Sequence, residues 1–513
     1  MYMRIGISRI IFIAGVLACV AAAAHSDVIV PLGIDPFRFD YELIYRTGVE
    51  KQDFSFIPST GPIFLDRAAK ILGSYSLPSL DLIRASSQID RIRFFTISSE
   101  KVAASRNKKF DDLPSLVGGF SLFPNNHLGM LSFFNLDRAK AIDPSYTGKK
   151  YRGLAGDLET AALFYTSEKV TVALGRFRVF WGPQPVNLSL SETVEPLDQL
   201  AASYHIGRLT FNFLFARLDG SRPTAVDSIA LPDRTFSDNR YLAAHRLDIR
   251  LHRRLRMGLF ETVLYGGEGR PPELYYLNPL QFFHAAQLNE NKDDNTTIGF
   301  DFICLPGKGT NIYGQLLVDD FQIDRKAQGD QEPNEIGLMV GAFKTGKVGT
   351  LLPDLKAEYV RITNRTYNQI DPVNRYLFRN KVIGHPLGND VDSLSLKARF
   401  WPEKTSFIEL EAAYRRRGEG SIYKPWDQPW IDITGSYHEP FPTGVVEKAA
   451  LVAVRASGYL PLSSYTRRHF FLTLDAGAGS IKNSDHISGK SATTAWFNIK
   501  LAWLGATDLS IAD

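Results

Sequence analysis

His245-Arg246-Leu247-Asp248-Ile249-Arg250-Leu251-His252 alternates between polar and apolar side chains. A β-strand sends successive side chains to opposite faces. Leu247, Ile249 and Leu251 therefore share one face, and Arg246, Asp248, Arg250 and His252 the other. The polar face decides the reading, because it carries full charges of both signs. A small soluble barrel or sandwich fills its inner face with apolar side chains. A transmembrane barrel reverses this, with apolar residues toward lipid and polar ones toward the lumen. A soluble antiparallel sheet with one wet face gives the same alternation, so repetition along the chain must separate the two.

The pattern recurs. Leu394, Leu396, Ala398 and Phe400 alternate with Ser395, Lys397 and Arg399. Ile408, Leu410, Ala412 and Tyr414 alternate with Glu409, Glu411 and Arg415, and Phe470, Leu472, Leu474 and Ala476 with Thr473 and Asp475. Leu209, Phe211, Phe213 and Phe215 form another apolar face. Near the C-terminus, Phe497, Ile499, Leu501 and Trp503 oppose Asn498 and Lys500. Outer-membrane barrels end on such a strand, which implies the barrel-assembly machinery as a partner in biogenesis. The residues after Trp503 depart from that pattern and read as a tail folded back toward the periplasm.

The N-terminus carries an export address. Arg4 and Arg9 precede an apolar run from Ile10 to Ala24, then Ala24-His25-Ser26 offers a small-x-small cleavage pattern. The run is short of the ~20 residues a spanning helix needs. Cys19 leaves open a lipoprotein variant. With the leader removed only Cys304 remains, which excludes an internal disulfide or a cysteine metal cluster and reads as a small packed side chain.

Among 513 residues, 59 basic and 55 acidic side chains nearly balance, and the basic runs are short, which argues against nucleic acid as a partner. The 34 Phe and 21 Tyr suit aromatic girdles, and equally an aromatic-rich soluble β protein. No stretch after the leader is long enough to span as a helix, so entry into a membrane requires a closed barrel.

The expected organisation is a signal peptide at 1–26, a small helical periplasmic region at 27–88 and an all-β antiparallel transmembrane barrel at 89–513 in a bacterial outer membrane. The helical patterning lies in Asp40–Arg46 and Leu65–Leu72, punctuated by Pro31, Pro36, Pro58 and Pro62. Strands of ~10 residues plus turns and loops predict roughly 16 to 20 of them.

An ordered set of stretches carries a family resemblance. It comprises Gly175-Arg176 with Trp181-Gly182-Pro183, Arg240-Tyr241-Leu242, Phe260 to Gly266, Tyr276-Leu277-Asn278-Pro279-Leu280, Gly299-Phe300-Asp301, Tyr313 to Phe321 and Gly384-His385-Pro386-Leu387-Gly388. In this order the chain resembles the capsule-assembly protein Wzi family. The resemblance implies an 18-stranded outer-membrane barrel with a small helical bundle on the periplasmic side. It also implies a lectin-like, non-enzymatic role in binding or organising capsular or surface polysaccharide.

His245, Arg246, Glu261 and Asp319 read as a lumenal charge network that fixes the barrel's shape, in preference to a catalytic cluster. Asp319 and Asp320 are adjacent and point to opposite faces unless the strand is bulged. Trp181-Gly182-Pro183 reads as a strand end with an interfacial Trp, and His385 as a solvated loop residue. The stretch from Gly418 to Val446 is the expected glycan site, with Tyr423, Trp426, Trp430 and Tyr437 as contacts, since aromatic faces suit the apolar C–H faces of sugar rings. A self-packed loop is the alternative. No catalytic residue, metal or cofactor is expected, as G-x-S-x-G, H-E-x-x-H and C-x-x-C are absent. Two other functions remain open: a channel or porin-type transporter, and an outer-membrane hydrolase of lipid or polysaccharide.

Overall fold

A computed structural model describes residues 33–61, 91–105, 108–125, 127–144, 146, 148–220, 239–320, 331–347, 349, 352–425, 427–431, 436–460 and 469–510. The leader with Cys19, the Leu65–Leu72 segment and Trp426 lie outside them.

Among the described residues eighteen antiparallel strands form one closed wall, and two short strands, Lys108–Asp112 and Lys150–Tyr151, pair onto its rim. The wall strands are β1 (Arg91–Ser105), β2 (Ser115–Leu122), β3 (Leu128–Asp137), β4 (Leu154–Thr166), β5 (Val170–Phe177), β6 (Leu197–Ile206), β7 (Leu209–Leu218), β8 (Arg240–His252) and β9 (Leu255–Gly266). The second half runs β10 (Asn295–Cys304), β11 (Thr310–Asp320), β12 (Glu335–Thr345), β13 (Leu352–Ile362), β14 (Val391–Glu403), β15 (Ser406–Arg417), β16 (Glu447–Leu460), β17 (His469–Lys482) and β18 (Ser491–Ser510). Each pairs with its neighbour, and β1 closes on β18 from Arg91↔Ser510 to Ser105↔Trp496 without a break. Residues 504–510 therefore stay in the wall; they are needed to satisfy the first half of β1, which would otherwise present an unpaired edge.

The wall is inside out relative to a soluble protein. Leu251, Leu259, Leu396, Leu410 and Val452 are 48–60% exposed, whereas Arg246 and Asp301 are at most 1% exposed. That is the arrangement lipid demands. The two ends also differ. At one end β6–β7, β8–β9 and β14–β15 are joined by two-residue turns, 207–208, 253–254 and 404–405. At the other end the connections are long: 178–196, 267–294, 363–390 and 418–446. Short turns are periplasmic and long loops extracellular in such barrels.

Helix α1 (Asp35–Lys51) sits in the short-turn mouth. Asp35 and Pro36 open it, suiting the first turn, and Gln52 closes it in the left-handed region. It is buried on nearly every side, as a helix enclosed by a barrel must be. Phe39 packs among Trp401, Phe407, Tyr459 and Phe471 with ring centroids 5.5–5.6 Å apart. Polar contacts tie the helix to the wall: Arg46 Nε to Asp354 at 2.9 Å, Tyr459 Oη to Asp40 at 3.0 Å, Lys500 Nζ to Asp35 at 3.0 Å, and an ion pair between Glu42 and Arg399. Gly48 lets the helix and the segment after it touch, since a Cβ there would lie 2.5 Å from that of Phe56. The helical region expected to hang in the periplasm is thus, over 35–51, part of the barrel's own core.

Candidate functional site at the long-loop mouth

Two long loops turn inward and fill the lumen above α1. In the 178–196 loop, Trp181 forms β-bridges to Thr60 and Leu190. Trp181 is 2% exposed and lies inside the barrel, so it is not the interfacial anchor expected from sequence. The chain turns there because Gly182 adopts φ +153, where a Cβ would lie 2.9 Å from Asn187 and Gln315. From the 363–390 loop, Tyr367 Oη donates to the Leu188 carbonyl at 2.6 Å and Ile383 accepts from Ser191 N–H. Phe180, Leu188, Leu190, Tyr367, Tyr376 and Ile383 join the same apolar core as α1. His385, expected to be solvated, is buried in this plug. Its N–H points to Tyr367 Oη and its Nδ1 accepts from Leu387 N–H.

Beside this plug, at the rim over β3–β5, lies a chamber of about 440 Å³. Its walls carry Lys140, Arg176 and Arg379, the carboxylates of Asp143, Asp157, Glu195 and Asp219, and the ring and apolar surfaces of Tyr146, Phe134 and Leu158. A short helix, α2 (Arg138–Ile142), positions Lys140, its start capped by Asp137, which accepts from the Lys140 N–H at 3.0 Å. Lys140 Nζ pairs with Glu195 at 2.8 Å and with Asp157. Arg379 enters from a two-stranded hairpin, Leu377–Phe378 with Lys381–Val382, whose turn residues Arg379 and Asn380 both have positive φ. Its guanidinium stands 3.7 Å from Asp157, and the Arg379 backbone N–H donates to the Asp219 carboxylate at 3.1 Å. The other side of the same turn meets Tyr423, whose Oη donates to the Asn380 carbonyl at 3.1 Å. Tyr423, 44% exposed, therefore stands behind the turn that carries Arg379.

The other expected glycan contacts lie elsewhere in the mouth. Trp430 is buried, with the Arg365 guanidinium 4.6 Å from its ring centroid. Arg365 also pairs with Glu439 at 2.6 Å and Asp427 at 3.0 Å, and Tyr437 Oη donates to Glu439 at 3.3 Å. Trp430 and Tyr437 thus surround one buried cation that folds the 418–446 loop onto the plug. Sequence reading missed Lys140, Asp157, Glu195 and Arg379, which are far apart in the chain; the one local signal was the turn at Arg379-Asn380.

The four residues expected to share a lumenal network divide between two faces. Arg246, fully buried, bonds Asp248 at 2.8 and 3.0 Å and Asp301 at 2.5 and 2.8 Å inside the lumen. Asp319 also faces inward and accepts from the Tyr367 N–H; β11 is bulged between Val318 and Asp320. His245 and Glu261 are cross-strand partners, 3.0 Å apart, but they share the outer face with Leu247 and Leu259. One residue's offset from Arg246 puts His245 on the opposite face. The segment 267–294 folds down over that pair, and Glu261 accepts from the N–H groups of Phe283 and His284 at 2.9 and 2.8 Å.

Two loop groups give the plug a pH dependence. Burial pushes His385 down to about 4, with Arg415 and Lys356 adding to it against Glu358. Burial alone would raise Glu195, but Lys140 and Arg178 outweigh it and hold the carboxyl at about 2. Both groups bind fewer protons in the folded chain than in the unfolded one, so stability falls on acidification. His385 contributes from about 6.5 down to 4, and Glu195 from about 4.5 down to 2. Amide protection, taken relative to the intrinsic exchange rate at each pH, is expected to fall in the 178–196 and 363–390 loops in those two steps, and His385→Gln to abolish the upper one alone.

The family model for the capsule assembly protein Wzi matches residues 125–494, more than half of the chain. Among solved structures, an Escherichia coli outer-membrane protein involved in group 1 capsule assembly, Wzi, described as a carbohydrate-binding β-barrel, aligns with a TM-score of 0.59 at 15% identity. The alignment covers 93% of this chain and 99% of that one. Pseudomonas aeruginosa OccK3 aligns at 11% identity and TM-score 0.44 over 82% of this chain and 96% of its own. Acinetobacter baumannii OccAB1 aligns at 10% and 0.44 over 81% and 96%. No curated protein matches. With an 18-stranded wall plugged by its own helix and loops, and with that family match, the chain belongs to the capsule assembly protein Wzi family of outer-membrane barrels.

Proposed function

We propose that this protein binds capsular or surface polysaccharide at its long-loop mouth and holds it at the cell surface without transforming it. The observation that carries the reading is the rim chamber, which sets fixed cations, carboxylates and ring surfaces side by side at the mouth of a filled lumen. Sugar hydroxyls both donate and accept, and their C–H faces pack on rings, so such a wall suits them. The contacts proposed are Arg379, Lys140 and Tyr423, with Trp430 and Tyr437 acting through the shape of the 418–446 loop. Outer-membrane lipid surrounds the apolar band, and the barrel-assembly machinery inserts the chain.

The rival readings fit less well. A porin needs an aqueous path, and here the mid-lumen holds α1 and two loops. A glycosidase needs a carboxyl that stays protonated near neutral pH. Within the rim chamber, Glu195 is held at about 2 by its cations, the opposite of that need.

Deleting the gene and measuring cell-bound against released polysaccharide tests the reading, with Arg379→Ala and Tyr423→Ala as finer probes. Each substitution is expected to weaken retention about tenfold, the size of one lost charged or stacking contact. Unchanged retention in the deletion strain would sink the proposal.

A further inference from the structure

The segment 267–294 leaves the top of β9 and folds back down the outside of the wall. A compact core fixes its inner side: Tyr276 and Phe283 pack on Tyr241, Val263 and Tyr265, away from the lumenal core. Phe283 lies against His245 with ring centroids 4.4 Å apart and the ring planes tilted by 36°. Arg270 bridges Glu273 and Asp294, and Tyr276 Oη donates to Asp294 at 2.7 Å. The segment is thus anchored, and its outer side is set by that anchoring. That outer side carries Leu274 (82% exposed), Leu280 (84%), Phe282 (48%) and Leu288 (69%). Large apolar side chains gathered on one fixed surface indicate an interaction face.

We propose that this segment is a membrane foot whose outer side chains lie among the acyl chains of the outer leaflet. Position names the occupant. The Phe283 N–H bonds Glu261, five residues below Gly266 at the top of β9. At about 3.3 Å per residue that is about 16 Å down the strand. Glu261 is paired with Ile298, and Ile298, Leu259 and Phe300, 39–48% exposed, are the outward lipid-facing residues directly beside it. The exposed leucines therefore continue the barrel's lipid band, as the apolar face of an interfacial helix does. Glu290, Asn291 and Lys292 follow at the segment's exposed C-terminal end and mark its wet edge. The foot does not depend on what the mouth binds.

The test is spin-label accessibility in protein reconstituted into phosphatidylcholine vesicles. Leu280→Cys, Leu288→Cys and Glu290→Cys are labelled singly in a Cys19→Ser, Cys304→Ser background. Labels at 280 and 288 are expected to collide readily with oxygen, and several-fold less often than the label at 290 with a water-soluble nickel chelate. Equal nickel accessibility at all three positions overturns the proposal by placing the segment in water. Exclusion of both reagents, with a dimer by mass, overturns it in favour of a second copy of the chain.

Discussion

Replacing Phe39 with Ala is expected to loosen α1 from the barrel by about 3–5 kcal/mol, the usual cost of deleting a buried aromatic ring. The site has little means of collapsing. Phe39 is 3% exposed and contacts four rings on β14, β15, β16 and β17. Those rings belong to a hydrogen-bonded wall that cannot close in, so the cavity persists. The polar ties from Asp35, Asp40, Glu42 and Arg46 would remain, as would the ring contacts of Phe37, Tyr41 and Tyr45, so the helix is loosened and not released. Amide exchange reads the result directly. Protection across 35–51 should fall roughly a hundred- to a few-thousand-fold, while that of β14 to β17 changes little. Equal loss in helix and strands would show that the helix is not a separable plug.

How much of this was legible in the sequence differs by residue. The wall was, because alternation such as Leu247-Asp248-Ile249 survives wherever one face meets lipid and the other a polar lumen. The inward loops were not. Their signal is the local failure of alternation: Tyr241-Leu242-Ala243-Ala244 and Val263-Leu264-Tyr265 are apolar at every position. Such runs indicate burial on both faces. Here Leu242 and Leu264 meet the plug, while Tyr241, Ala243, Val263 and Tyr265 meet the foot. The misplacement of His245 and Glu261 has the same origin. Charge alone suggested the lumen, but parity with Leu247 and Leu259 puts them outside, where a polar pair survives because 267–294 covers it. The rim site was illegible for another reason. Lys140, Asp157, Glu195 and Arg379 converge through α2, β4 and two loops, and no local spacing encodes that.

The buried charge clamp makes the last expected result asymmetric. Arg246→Leu alone should destabilise the barrel by about 3–5 kcal/mol, because it leaves Asp248 and Asp301 buried without their cation. Asn212 would still donate to Asp248 at 3.0 Å, and Arg256 lies close enough to act on both carboxylates electrostatically, which limits the loss without cancelling it. Replacing all three residues together, as Arg246→Met, Asp248→Leu and Asp301→Leu, removes these three charges and their need for one another, and leaves Arg256 to the Ile57 carbonyl and the Phe54 ring. Desolvation of such a cluster costs about as much as its internal attraction returns, so the triple variant should regain most of the stability lost by the single one. Urea unfolding in detergent micelles, followed by heat-dependent mobility on gels, distinguishes the cases. Recovery in the triple variant would mean that the clamp fixes lumen geometry and little else. A triple variant as unstable as the single one would mean that the clamp, through Asp248, Arg256 and the Ile57 carbonyl that Arg256 binds, is what holds the 53–61 segment in the lumen.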